Sequence, residues 1–139
     1  MSRATPKLRR FAQRLLALEA VAGTAADAQA PPAFRVCDTL RRPLSRLAGV
    51  AGFRSLLSRA LALANDEVRW LKAVHVTADG SLEGLGDIEG QLSQAEIAQG
   101  ELLLIAHLLG LLVTFIGDAL TVRLVQEAWP ELPSGDLEF

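Results

Sequence analysis

The chain has 139 residues, of which 50% are hydrophobic and 22% charged, and a formal net charge of −2. This fits one globular domain, since single cores are typically built from about 100–150 residues, and it excludes a disordered chain. A single cysteine, Cys37, excludes a disulfide scaffold.

Leu and Ala supply 48 residues, Arg outnumbers Lys twelve to two and Tyr is absent, a bias that suits a GC-rich bacterial genome. Leu and Ala lose little side-chain freedom in a helix, whereas sheets draw on β-branched and aromatic residues. The expected fold is therefore all-α: a compact bundle of five to six helices around a long apolar central helix at about 93–116, with a small β-hairpin at 74–85. Arg14 and Glu19 interrupt the segment after the basic N-terminus, so no signal-peptide core is read there and a cytoplasmic location is expected. The near-neutral total hides a division. Residues 1–72 carry thirteen Lys/Arg against five Asp/Glu, or +8, and residues 73–139 carry Arg123 against eleven Asp/Glu, or −10. Such halves can meet each other within a fold or across a dimer, or the basic half can meet an external anion.

Residues 1–22 read as a basic amphipathic helix. Leu8, Phe11, Leu15, Leu18 and Ala22 form its apolar stripe, Arg3, Lys7, Arg10 and Arg14 line a neighbouring face, and Thr5 precedes Pro6 as an N-cap. A linker at 23–32, closed by Pro31-Pro32, separates it from a helical core domain at 33–130, and residues 131–139 read as a loose tail. Within the core, Phe34, Cys37 and Leu40 mark a short helix ending before Pro43, and Leu44 to Ala48 adds a turn or two. Gly49 and Gly52 punctuate the chain before a helix from Phe53 to Ala64. Asp79-Gly80 then suggests a two-residue hairpin turn, which needs positive φ at both positions. Ser93-Gln94-Ala95-Glu96 has the form of a capping box. It opens the central helix, whose residues Leu102 to Gly117 carry no formal charge. That run is shorter than the roughly 18–20 residues that span a bilayer, so a core helix is expected and no membrane span. Gly117 kinks or restarts the helix, which continues to Trp129 and stops at Pro130.

Two surfaces stand out as candidates for interaction. One is the basic stripe Arg3, Lys7, Arg10 and Arg14. The other is a strip of small and polar residues, Gly100, His107, Gly110, Thr114 and Gly117, which share one side of the central helix at three-, four- and seven-residue spacings and suit a close-contact interface or a pocket wall. No run has metal-ligand spacing, Gly84 to Gly90 misses the nucleotide-loop pattern by one residue and carries Asp87 and Glu89, and nothing assembles a nucleophile with its base. No catalytic residue, metal or cofactor is therefore assigned.

The segment Leu47-Ala48-Gly49-Val50-Ala51-Gly52-Phe53-Arg54-Ser55-Leu56-Leu57-Ser58-Arg59-Ala60-Leu61 resembles the repressor-type helix-turn-helix, whose turn often reads A-x-x-A-G before a hydrophobic residue and a Ser-Arg pair. It departs in phase, placing Ser58 where that family buries a residue and Leu56 towards DNA. The resemblance implies a DNA-binding regulator using residues 44–64, with Arg41, Arg42, Arg46, Arg54 and Arg59 near phosphates. The reading that the chain favours is a non-enzymatic, self-associating protein-interaction or adaptor module of a regulatory or signalling system, a homo-oligomer or the subunit of a protein complex. A DNA-binding regulator and a small-ligand sensor built around His107 are the alternatives.

Overall fold

A computed structural model of the chain describes residues 5–22, 31–84, 89–130 and 132. Helix accounts for 83% of it. The helices are α1 (Pro6–Ala22), α2 (Pro32–Glu67) and α3 (Gln94–Ala128), and a two-stranded antiparallel sheet, β1 (His75–Val76) with β2 (Leu82–Glu83), lies between the last two. Most of the expected linker at 23–32 and tail at 131–139 fall outside the described residues, as do Arg3 and residues 85–88.

Among the described residues there are three α-helices where the sequence predicts five to six helices, because Pro43 does not end a helix and Gly49 breaks one at a single residue. Pro43 lies inside α2. A proline removes one helical hydrogen bond and crowds the preceding turn, yet Leu40 and Leu44 on either side of it are buried and keep the segment helical. The second boundary, at Gly49, interrupts the helix by a single residue with φ 79° and ψ 164°. Gly117 does the same in α3, with φ 83° and ψ 166°. This backbone region is essentially restricted to glycine.

Each glycine folds its helix back on itself. A straight 36-residue α2 would span about 54 Å, but its two ends meet α3 only six residues apart: the Ala33 amide donates to Glu101 Oε2 at 3.2 Å, and Glu67 Oε2 lies 2.7 Å from His107 Nε2. In α3 the second arm likewise returns, so that Trp129 Nε1 donates to Glu19 of α1. The two broken helices follow one plan. Ala33 faces Glu101, while Leu44, Leu47 and Ala48 share a groove with Leu112, Phe115 and Ile116, in every case 68 residues apart, as the two glycines are. The second arms repeat the pattern, with Phe53, Leu57 and Leu61 buried in one and Thr121, Val125 and Trp129 in the other.

The first arm of α3 is the hub. Every residue from Leu103 to Leu112 is buried, and Leu8, Phe11, Ala12 and Leu15 of α1 join its core cluster together with both arms of α2. The ends follow their sequence signals. Thr5 Oγ1 accepts from the Leu8 amide at 3.3 Å, and the capping box is complete, with Ser93 Oγ accepting from the Glu96 amide and Glu96 Oε1 from the Ser93 amide, both at 3.1 Å.

The hairpin forms with His75 opposite Glu83 and Val76 opposite Leu82, but its turn is not the two-residue type. The Thr77 amide donates to the Ser81 carbonyl at 2.8 Å, leaving Ala78, Asp79 and Gly80 as a three-residue loop in which Gly80 alone takes positive φ. Asp79 instead acts through its side chain, accepting from the Ser81 amide at 3.1 Å and from the Thr77 hydroxyl.

Gly49→Ala and Gly117→Ala are each expected to lower the urea unfolding free energy by about 1–3 kcal/mol. A methyl group at either site meets nothing within 4 Å, so the loss would be purely conformational, and an unchanged midpoint would contradict the break. The turn has its own pH signature. The Thr77 hydroxyl, and then the Ser81 amide, hold the Asp79 carboxyl below its ordinary 3.8. Its contribution is therefore complete above that value and disappears as pH falls through the lower folded one. NMR contacts between Val76 and Leu82 should fade on acidification, and Asp79→Asn should remove that dependence.

Candidate functional site

The small-residue strip is used inside the molecule along most of its length. Gly100 lies under Trp70, whose ring occupies the place a Cβ would take and whose Nε1 donates to the Glu96 carbonyl at 2.9 Å. His107 is 2% exposed and pairs through Nε2 with Glu67 Oε2, while its buried Nδ1 has no partner. Arg9 reaches the other oxygen of Glu67 at 3.7 Å, so α1, α2 and α3 are linked at this one point. Gly110 is buried and borders α1, Thr114 is exposed with its hydroxyl turned back onto the Gly110 carbonyl, and Gly117 is the exposed break. Gly100, His107 and Gly110 thus serve contacts between helices of the same chain.

In the basic stripe, Lys7, Arg10 and Arg14 are exposed on α1. Lys7 and Arg10 border an open depression of about 600 Å³ whose other wall is Gly110, Val113 and Thr114. The arginines around the helix-turn-helix-like segment divide. Arg41 is engaged, 2.9 Å from Ser81 Oγ and within 4 Å of Asp38 and Asp79, and its pair with Asp79 joins the basic half of the chain to the acidic half. Arg42, Arg46, Arg54 and Arg59 are exposed. The segment itself turns over the single residue Gly49, where the repressor motif uses three or four, and Leu56 is half-buried beside the groove while Ser58 is exposed.

Cys37 is buried, and burial, reinforced by Asp38, pushes its thiol far up from its ordinary value. Thiolate chemistry at neutral pH is thereby suppressed. Among the described residues no group of three or more His, Cys, Asp or Glu could hold a metal ion.

The groove at the two glycine breaks is a site that the sequence reading missed. It holds about 380 Å³, is lined by Leu44, Leu47, Ala48, Gly52, Ser55, Leu56, Leu112, Phe115 and Ile116, and has Arg59 at its edge. The large hydrophobic residues exposed among those described are Leu47 (49%), Val50 (50%) and Phe115 (67%), and all three lie within two residues of Gly49 or Gly117. A cluster of this kind is a recognised mark of a contact surface. In the sequence Phe115 belongs to an uncharged run and reads as core. The signal that could have separated it is its place beside a glycine that reverses the chain.

Two helices, α2 and α3, are also long and apolar enough to cross a membrane by length and composition; the most apolar window of α2 is 28% buried in the fold and that of α3 is 56% buried.

Glu67→Ala strands the buried His107 ring, which has no partner on its other nitrogen, and should cost about 1–3 kcal/mol in urea unfolding. Glu67→Gln keeps a hydrogen-bonding group there and should cost less. Equal losses would show that packing rather than this contact matters. Comparison with known proteins returns no match, whether to a family model, a curated protein or a solved structure, so the role of the groove rests on its own chemistry.

Proposed function

We propose that the chain is a non-catalytic interaction module whose working surface is the end of the bundle where the two glycine breaks meet. The observation that carries this reading is that Leu47 and Phe115, both exposed, line one apolar groove, with the exposed Val50 next to Gly49 in the chain. The expected self-association is part of the proposal, with the basic end of one copy against an acidic face of another. A role in a regulatory or signalling system is the setting in which an adaptor of this kind would act. Nucleic-acid contact is a second reading, favoured by the exposure of Arg42, Arg46, Arg54 and Arg59; the apolar side chains set among them speak against it, since they offer nothing to a phosphate backbone. A ligand sensor has less support, because His107 lines neither depression.

If Phe115 serves contact rather than packing, Phe115→Ser should leave the urea unfolding free energy within about 0.5 kcal/mol of the parent, whereas truncating a core aromatic costs about 3–5 kcal/mol. A loss of the second size would overturn the assignment of the surface. Sedimentation at about 0.1 M and about 0.5 M salt tests self-association on the same samples. An oligomer that dissociates as salt rises supports opposite-charge contact, and a monomer at both concentrations removes self-association from the reading.

A further inference from the structure

We infer that this end of the bundle docks on an anionic lipid bilayer, with Leu47, Val50 and Phe115 entering the interface and the arginines around them meeting the lipid headgroups. The inference rests on the proposal that the groove end is the working surface, and it names the partner. Its first support is charge. Within seven residues of either glycine along the sequence the basic side chains are Arg42, Arg46, Arg54 and Arg123, all exposed, against Asp118, and the hairpin, packed on Phe53, adds Asp79, which is paired with Arg41. Arg123 is the one basic residue of the entire acidic half, and it stands here. Lys7 and Arg10 add to the same end, beside Gly110 and Thr114.

The second support is the combination of charge with apolar exposure. Basic residues alone would suit any polyanion, and apolar residues alone would suit any apolar patch. A surface carrying both matches an interface in which phosphates lie a few ångströms above hydrocarbon, and long arginine stems can keep their charge at headgroup level while neighbouring side chains go deeper. Shape agrees, since the two helix reversals place Leu47 and Val50 beside one vertex and Phe115 beside the other. A second copy meeting through the same end would set like charges against each other. Nucleic acid would leave the apolar side chains unpartnered.

The test is flotation of the full chain with vesicles of phosphatidylcholine alone and of phosphatidylcholine mixed with phosphatidylglycerol. Binding is expected only to the mixed vesicles, with release at about 0.5 M salt. Phe115→Ser should weaken it severalfold, and Arg54→Ser with Arg123→Ser by about fivefold for each arginine. Lys72→Ser, an exposed charge near the opposite end of α2, should leave it unchanged. Equal binding to both vesicle types, undiminished binding by Phe115→Ser, or no flotation would each overturn the inference. If flotation fails while Phe115→Ser abolishes self-association or a shift of duplex DNA, the groove end remains the working surface and only the lipid partner falls. If the variants at that end change none of these readouts, both readings fall together.

Discussion

The structure depends on covering one helix on every side. From Leu103 to Leu112 no position of α3 faces water, and a helix apolar around its whole circumference is stable only inside other elements. A straight α2 would cover one flank and carry its far half into solvent. Reversal at Gly49 returns that half to the hub, and the break at Gly117 lets the end of α3 reach Glu19 of α1. With α1, these arms enclose the hub using a short chain. The two glycines are therefore as necessary to the core as the leucines, although neither touches it.

Carboxylates fix how the arms sit. Glu101 reaches the first turn of α2, where free amides and the helix dipole favour a negative group. Glu67, at the other end of the same helix, holds His107 and draws in Arg9. Glu19 accepts from Thr39 Oγ1 at 3.0 Å and from Trp129 Nε1 at 2.9 Å, joining all three helices. Apolar surfaces slide over one another with little preference. These polar contacts set the register, and their buried partners, the Ala33 amide, His107 and Trp129, lose a hydrogen bond if the carboxylate is removed. The division of charge along the chain is only partly used in this way, since Glu19 and Glu67 belong to the basic half themselves.

What was legible in the sequence was local. The Thr5 cap, the capping box at Ser93 and Glu96, the apolar stripe of α1 and the buried run after Leu102 each depend on residues a few positions apart, and all are present. The failures involve distance. Pro43 suggests a terminus because proline disfavours a helix interior, and packing at Leu40 and Leu44 outweighs it. Asp79 was assigned a backbone role in the turn and has a side-chain one. In the strip from Gly100 to Gly117, the ring against Gly100 is Trp70 of the same chain, while Thr114 and Gly117 are exposed. The groove was invisible because its walls come from segments 68 residues apart, and nothing in the composition of either segment announces the other.

The repeated helix–glycine–helix plan has a consequence for how the molecule assembles. Within each broken helix the two arms are joined by one residue, so their mutual contacts close short loops and can form on the microsecond scale of small helical units. Contacts between the two units lie 40 residues apart at Glu67 and His107 and 68 apart at Ala33 and Glu101, and the link from Glu19 to Trp129 spans 110. Closing such distances is the entropically expensive step, and contacts of this range are associated with slower folding. Loop-closure entropy therefore favours the local contacts at each break over those that join the two units. The tryptophan that ends the second arm of α3 reaches Glu19 of α1 only when the longest of these loops has closed.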